Sequence, residues 1–185
     1  MRTSSKILEL KTRSDVSVRR PRAADGTDVN ELIGRCKPLD ENSVYCNLFQ
    51  CSHFADTAAV AEVNGEVMGF TSGYIVPGRQ DRLFIWQVAV HSDARGKSLG
   101  KSMILDILRR PVCREVRELH TTITPDNKAS QAVFGSVAKT LETDAATNVL
   151  FEKEDHFDGQ QSSEVLWRIG PFDRRAVVGS AVEAA

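Results

Sequence analysis

One stretch of the sequence, from Leu83 to Lys101, constrains the fold more than any other. It begins with an apolar run typical of a strand, continues through a short basic turn that contains two glycines, and ends in an amphipathic helix pattern. The core face of this helix consists of Leu99, Met103, Ile104, Ile107 and Leu108. Backbone N–H groups at a helix N-terminus carry partial positive charge, so a turn of this composition suits a pyrophosphate. The stretch therefore predicts a strand–turn–helix unit that binds phosphate.

A Walker A loop is excluded by residue spacing. The segments Gly96-Lys97-Ser98 and Gly100-Lys101-Ser102 both resemble the end of such a loop. The required leading glycine is missing from both, because His91 and Arg95 stand at its two positions. A basic glycine turn of this kind is often an ordinary connection, so its interpretation depends on the rest of the chain.

Composition limits the range of functions. The 185 residues fit one domain, and 24 basic against 25 acidic residues give a net charge of −1. This balance favours neither nucleic acid nor a membrane as partner, so anion binding has to be local. The four cysteines lack CxxC spacing and indicate reduced thiols rather than zinc ligands. We expect a cytoplasmic protein without a metal, a signal peptide or a membrane-spanning segment.

The N-terminal part predicts one edge strand followed by a helix. The strand covers 18–22 and contains Pro21, which is typical of the edge of a sheet. An apolar stripe then predicts a helix that is capped by Asp25 or Thr27 and stops at Pro38. In the polar turn after Pro38, Asp40 and Ser43 are candidates to cap the next helix.

Helices and strands alternate through the rest of the chain. The second helix covers 44–54, and Asn64-Gly65 between β-rich flanks is a strong hairpin signal. Further strands are predicted over 116–124, 149–151 and 165–169, the last two separated by a charged loop. We predict an α/β (α+β) fold with a mixed sheet of six to seven strands and about four helices. Residues 18–170 form its single domain, and residues 1–17 and 171–185 are expected to be disordered tails.

The sequence of the phosphate turn resembles a motif of a known family. Val88-Ala-Val90 followed by Arg95-Gly-Lys-Ser-Leu-Gly100 is similar to motif A of the GCN5-related N-acetyltransferases, which holds the pyrophosphate of acetyl-coenzyme A. Ser98 stands where the family's Arg/Gln-x-x-Gly-x-Gly/Ala pattern has its middle glycine. The resemblance implies the family fold, with strands four and five splayed apart, and the Val88 N–H as oxyanion donor. The implied cofactor contacts in this motif are Val88, Ala89, Val90, Arg95, Gly96, Lys97, Ser98, Leu99, Gly100 and Lys101.

A second element, Asn127-x-x-Ser130-x-x-x-Phe134, is also similar to this family. The resemblance implies that Asn127 contacts the pantetheine arm, although an asparagine here can equally be a helix cap. Phe134 takes the place of a tyrosine that often protonates the departing thiolate. A phenyl ring has no proton to donate, so the thiolate must be protonated by water, by the substrate ammonium or by another residue.

Four sequence segments resemble one branch of the family more closely. They are Pro38-Leu-Asp-Glu-Asn-Ser-Val-Tyr45, Trp86-Gln-Val-Ala-Val-His91, Thr124-Pro-Asp-Asn-Lys-Ala-Ser130 and Glu164-Val-Leu-Trp-Arg-Ile169. These segments are similar to the L-2,4-diaminobutyrate acetyltransferases of ectoine biosynthesis. The resemblance implies a homodimer and a substrate site formed by Asp40, Ser43, Tyr45, Trp86 and Glu164.

Trp86 also has another interpretation, because a tryptophan on a central strand can be a core residue. The sequence departs from the family at one position, where Gln161 replaces a histidine that the family often has; His156 lies five residues before it. The resemblance predicts acetyl transfer from acetyl-coenzyme A to the 4-amino group of L-2,4-diaminobutyrate by direct attack in a ternary complex. The base is Asp40, Glu164 or a water relay. The alternatives are an acetyltransferase for another small amine or a peptide N-terminus, and a non-catalytic acyl-coenzyme A-binding module.

Overall fold

The computed structural model describes residues 15–179. They form a seven-stranded mixed sheet with helices on both faces. The strands are β1 (Val16–Arg19), β2 (Ala59–Val63), β3 (Glu66–Ile75), β4 (Arg82–Val90), β5 (Glu118–Ile123), β6 (Ala145–Phe151) and β7 (Glu164–Ile169). The helices are α1 (Gly26–Arg35), α2 (Val44–Ser52), α3 (Leu99–Arg109), α4 (Lys128–Thr140), α5 (Lys153–Phe157) and α6 (Arg174–Gly179).

The order of the strands across the sheet is β1-β2-β3-β4-β5-β7-β6, with β1 at the edge as predicted. Among the strand pairs within residues 15–179, only β4–β5 is parallel, and it is short: Arg82–Phe84 pairs with Glu118–His120. Beyond Phe84 the two strands separate, which confirms the expected splay. Asn64 and Gly65 both have positive φ in the β2–β3 turn, so the Asn-Gly pair forms the hairpin that its sequence favours.

Two apolar cores lie on opposite faces of the sheet. The larger packs α3 and α4 against the strands and includes Met103, Ile104 and Phe134. The smaller packs α1 against the other face and includes Ile33 and Phe70. The amphipathic stripes that predict α1 and α3 are therefore the faces that these helices bury.

One irregularity in β4 positions the functional residues. Ser72 pairs with Gln87 and Gly73 with Ile85, so Trp86 is an extra residue in the strand, a β-bulge. Before the bulge Ile85 faces the larger core, and after it Ala89 faces the smaller core. The bulge thus shifts the alternation by one residue and changes which side chains point toward α3 and α4.

Several boundaries differ from the prediction. β1 covers Val16–Arg19 rather than 18–22, so residues 16 and 17 are not part of a tail. The predicted C-terminal tail contains α6, with Phe172 and Val177 buried in the larger core, so the ordered part of the chain extends past residue 170. The remaining parts of both predicted tails, 1–14 and 180–185, lie outside the described residues.

The helix count also differs. There are six helices within residues 15–179 rather than about four, because α5 and α6 are too short to show a helical period in the sequence. Neither predicted cap of α1 acts through its side chain: the helix begins at Gly26, and the Asp25 carboxylate instead accepts hydrogen bonds from the Arg19 guanidinium and the Arg22 N–H.

Candidate active site

The predicted phosphate turn connects β4 to α3 through two residues with left-handed backbone conformation. Gly96 has φ +79°, and Ser98, the residue before α3, has φ 56° and ψ 22°. Glycine adopts this region without penalty, whereas an L-residue with a Cβ pays about 1–2 kcal/mol. The glycine of the family pattern at the Ser98 position therefore matches a backbone requirement of the turn, and Ser98 meets that requirement at an energetic cost.

A cavity of about 550 Å³ opens beside this turn. It lies where β4 separates from β5, between the turn, the first turn of α3 and the length of α4. Ten of the predicted cofactor residues line it: Val88, Val90, Arg95, Gly96, Ser98, Leu99, Gly100, Lys101, Asn127 and Phe134. An elongated, mainly apolar cleft with a basic, N–H-rich end is suited to a thioester cofactor whose pyrophosphate binds at that end.

Two predicted cofactor residues do not line the cavity. Ala89 is fully buried in the smaller core, because the bulge at Trp86 turns its side chain to the other face of the sheet. Lys97 is exposed and is not among the lining residues. The spacing of motif A cannot distinguish side chains that point into the cleft from neighbours that point away.

The cavity also contains residues that the sequence reasoning did not select. On α4 they are Ala129, Ala132, Val133 and Ser136, which follow helical spacing and could have been found as a stripe of small residues. Near the end of α1 they include Cys36 and Leu39. No local pattern marks this second group, since only the packing of α1 on the sheet brings it to the cleft.

Asn127 and Phe134 combine structural roles with positions in the cleft. Asn127 precedes α4, and its side-chain oxygen accepts a hydrogen bond from the Ser130 N–H at 3.0 Å, so the cap interpretation is correct. Phe134 is buried in the larger core and forms part of the cavity wall. Its ring gives this wall an apolar surface where a tyrosine would place a hydroxyl.

Two carboxylates from distant parts of the chain approach each other near the splay. Glu164 is the first residue of β7, half-buried, and it is hydrogen-bonded by the Thr122 side chain of β5. Burial raises the pKa of the Glu164 carboxyl, the Thr122 hydrogen bond opposes the rise, and the negative charge of Asp40 adds to it. A carboxylate with a raised pKa is a better proton acceptor than an ordinary carboxylate.

The segment that carries Asp40 is fixed to β4. The Gln87 side chain donates from Nε2 to the Asp40 carbonyl oxygen at 3.1 Å and accepts from Asn42 Nδ2 at 3.0 Å. Asn30 of α1 also donates to the Asn42 carbonyl oxygen, at 3.1 Å. These contacts hold the loop before α2 next to the strand that lines the cleft.

The predicted substrate residues on α2 and β4 are distributed as follows. Ser43 caps α2, since its hydroxyl accepts from the Cys46 N–H at 3.1 Å. Tyr45, in the first turn of α2, is 70% exposed, and its ring centroid lies 4.8 Å from that of Phe49. Trp86 is 64% exposed at the bulge, so it is not a core residue. Exposed aromatic rings such as these can bind a cationic ligand through their faces.

His156 lies in α5, and Gln161 follows that helix. The His156 ring accepts a hydrogen bond from the N–H of Glu152, the residue before α5, and Gln161 is exposed. Within residues 15–179, no three His, Cys, Asp or Glu side chains cluster as metal ligands would. The same part of the chain contains no helix long and apolar enough to cross a bilayer.

Comparison with known proteins agrees with this geometry. The model of the acetyltransferase (GNAT) family matches residues 27–137. The L-2,4-diaminobutyric acid acetyltransferase of Methylotuvimicrobium alcaliphilum is 48% identical over 85% of this chain and 91% of its own length. That of Halomonas elongata is 40% identical over 86% of this chain and 83% of its own length.

Solved structures give the same result. Diaminobutyrate acetyltransferase EctA from Paenibacillus lautus, in complex with its substrate L-2,4-diaminobutyric acid and coenzyme A, superposes with a TM-score of 0.82 at 37% identity. This match covers 87% of the present chain and 98% of that one. The ribosomal-protein-S18-alanine N-acetyltransferase of Escherichia coli, at 15% identity and a TM-score of 0.63, shares the fold. The chain therefore belongs to the GNAT acetyltransferases and, within them, to the family of L-2,4-diaminobutyric acid acetyltransferases.

Proposed function

We propose that this protein transfers acetyl from acetyl-coenzyme A to the 4-amino group of L-2,4-diaminobutyrate, giving N4-acetyl-L-2,4-diaminobutyrate for ectoine synthesis. The observation that carries the proposal is the pair of interacting carboxylates, Glu164 and Asp40: the first begins β7 beside the C-terminal end of β5, and the second stands in the loop that is held to β4. A diamino acid brings an ammonium group to such a site, and this group must lose a proton before its nitrogen can attack.

The proton transfer determines what the residues must do. With a pKa near ~10, only about one alkyl amine in a thousand is a free base at neutral pH, so a base is needed. Glu164 is assigned this role, directly or through a water, because burial and the charge of Asp40 make its carboxylate more basic. Asp40 holds the ammonium in place before transfer.

Direct attack in a ternary complex completes the reaction. The amine nitrogen forms a bond to the thioester carbon, and the carbon–sulfur bond then breaks to release the coenzyme A thiolate. Val88 lies in the part of β4 that has no β5 partner, so it is assigned as N–H donor to the oxyanion. Phe134 has no proton to give, so water or the reacting ammonium protonates the thiolate.

The test is to incubate the purified protein with acetyl-coenzyme A and L-2,4-diaminobutyrate, measure thiol release and identify the acetylated nitrogen by NMR. Glu164→Gln should lower kcat by about a hundredfold or more and leave the acetyl-coenzyme A KM near its original value. Glu115→Gln, an exposed carboxylate before β5, is the matched control and should retain full rate. Full activity of both Glu164→Gln and Asp40→Asn would refute the site assignment.

Two other functions are separated by the same assay. Thiol release with a polyamine or a peptide N-terminus, but not with diaminobutyrate, would identify an acetyltransferase for another acceptor. Tight binding of acetyl-coenzyme A without turnover of any amine would identify a binding module. The interaction of Glu164 with Asp40 and the similarity to L-2,4-diaminobutyric acid acetyltransferases favour the diamino acid over both.

The proposal includes a cytoplasmic homodimer. β6 supports the dimer, because all seven of its residues are exposed at the sheet edge, including Val149, Leu150 and Phe151. An apolar edge strand exposed on both faces is a surface that a second copy would cover. The four free cysteines fit a reducing compartment. Light scattering should give twice the chain mass, and Leu150→Lys should reduce it to the monomer; a monomeric wild-type protein would refute the dimer.

A further inference from the structure

A second cavity, of about 100 Å³, lies between α2 and the β3–β4 pair and shares no residue with the large cleft. Its walls are mostly aromatic and include Phe49, Phe54, Tyr74 and Trp86. Two polar side chains, Gln50 of α2 and Ser72 of β3, also line it. The function derived above uses only Trp86 among these residues, so the remaining walls have no assigned role.

Each of the two polar side chains is buried with one oxygen atom that has no hydrogen-bond partner. Ser72 is 2% exposed and its hydroxyl has no hydrogen bond, and Gln50 is 7% exposed with Oε1 unpaired. The other end of the Gln50 amide donates from Nε2 to Cys46 Sγ at 3.4 Å, which leaves Oε1 as the available acceptor. Buried polar atoms are nearly always paired in native proteins, so these two have hydrogen-bonding capacity that a polar group in the cavity would satisfy.

The chemistry of the walls selects a cation. Neither a basic nor an acidic side chain lines this cavity, and its two unpaired polar atoms are an amide oxygen and a hydroxyl oxygen, both of which can accept hydrogen bonds. An ammonium group is favoured by oxygen acceptors and by the faces of aromatic rings. A carboxylate is disfavoured because no basic side chain lines the cavity and its negative charge would lie against the faces of the aromatic rings. The volume, about three times the share of one water molecule, matches a group of four or five heavy atoms.

The position of the cavity relates it to the proposed reaction. Trp86 forms one of its walls, and Val88, two residues further along β4, lines the large cleft. Two residues of a strand span about 6–7 Å. The nitrogens of a 1,3-diamine are separated by four bonds, or ~5 Å. A diamine whose reacting nitrogen lies near Val88 can therefore place its other nitrogen beside Trp86.

We propose that this cavity holds the second ammonium group of the acceptor, the one that is not acetylated, between the aromatic rings and the oxygens of Gln50 and Ser72. The inference rests on the proposed function and adds a specificity determinant to it: the enzyme recognises a diamine by its far nitrogen. The carboxylate of an amino acid acceptor remains at the exposed side of Trp86. A monoamine of the same length leaves Gln50 and Ser72 unpaired and is a poor substrate.

The test compares three acceptors: L-2,4-diaminobutyrate, 1,3-diaminopropane, which lacks the carboxylate, and 4-aminobutyrate, which lacks the second amine. The variants are Ser72→Ala and Gln50→Leu, with Ser52→Ala on the same helix as the matched control. Each of the first two should lower kcat/KM about 10- to 100-fold for both diamines and leave the value for 4-aminobutyrate unchanged. Their melting temperatures should not fall, because each substitution removes an unpaired buried atom.

Calorimetric binding of 1,3-diaminopropane, with coenzyme A present so that no acetyl can be transferred, tests the cavity without turnover. The affinity should fall by the same factor in Ser72→Ala and Gln50→Leu, and not in Ser52→Ala. A wild-type protein that binds this diamine but does not acetylate diaminobutyrate would refute the proposed function and leave the cavity assignment intact.

Three results would overturn the assignment of the cavity. Equal losses for all three acceptors would mean that the residues support the reacting amine or the fold. Losses for diaminobutyrate and 4-aminobutyrate, but not for the diamine, would mean that the cavity takes the carboxylate. Unchanged kinetics and binding would mean that it holds water only.

Discussion

Replacing Ser98 with glycine should stabilise the protein. Ser98 is held at φ 56° and ψ 22°, which costs an L-residue about 1–2 kcal/mol, and its side chain forms no cap hydrogen bond to α3 in return. Glycine removes this cost but loses about 0.5–1 kcal/mol through the greater freedom of the unfolded chain. The net gain is about 0.5–1 kcal/mol, which for a chain of this length raises Tm by about 1–4 °C.

Two further variants make the Ser98 experiment quantitative. Gly96→Ala should lower stability by a similar amount, because Gly96 has φ +79° and an added Cβ would meet no atom within 4 Å, so only backbone conformation changes. Ser102→Gly, in the helical part of α3, should lower stability by about 0.5 kcal/mol. Urea unfolding of all three variants gives the free energies directly.

The sign of the stability change in Ser98→Gly tests whether the backbone conformation of Ser98 is unfavourable. A loss of stability in Ser98→Gly would show that the serine side chain gains more from the native turn than its backbone conformation costs. The acetyl-coenzyme A KM of Ser98→Gly should be unchanged or lower, since glycine allows the pyrophosphate to approach the turn at least as closely. A marked rise in KM would show that the hydroxyl itself contacts the cofactor.

Three more predictions concern the acceptor side. With Glu164 as the proposed base, kcat/KM should fall as the pH is lowered through the raised pKa of its carboxyl. Thr122→Val removes a hydrogen bond that opposes this rise and should move the acid limb to higher pH. Asp40→Asn removes a negative charge and should move the limb of its residual activity to lower pH, and identical limbs in both variants would exclude Glu164 as the titrating base. Gln87→Ala should lower kcat/KM for the amine about tenfold and leave the acetyl-coenzyme A KM unchanged, with a smaller loss in Asn42→Ala, and equal KM changes for both substrates would refute a positioning role.

Local sequence determined much of the fold. Asn64-Gly65 specifies its hairpin because both residues tolerate positive φ, and the stripes of α1 and α3 predict which helix faces are buried. The basic turn after β4 was recognisable for a similar reason: a glycine and the start of a helix have strong positional preferences. These signals depend on neighbours within a few residues.

Local sequence signals could not identify the two shortest helices or the exposure of the last edge strand. α5 and α6 are shorter than two turns of helix, so no periodic pattern could mark them. The apolar residues of β6 predict a strand but not that the strand lies exposed at the sheet edge. Burial of an edge depends on what covers it, and that information is not local.

In the candidate active site, too, some features follow from local sequence and others only from the tertiary structure. The sequence by itself determined the strand, the turn and the helix that frame the cleft, because each is fixed by preferences of adjacent residues. Only the tertiary structure decided that Ala89 turns away from the cleft, through a bulge that the alternation of β4 does not reveal. It also decided that Asp40 and Glu164 lie close enough to shift the pKa of Glu164. Strand register and the meeting of distant loops arise from packing of the whole sheet, which no single segment encodes.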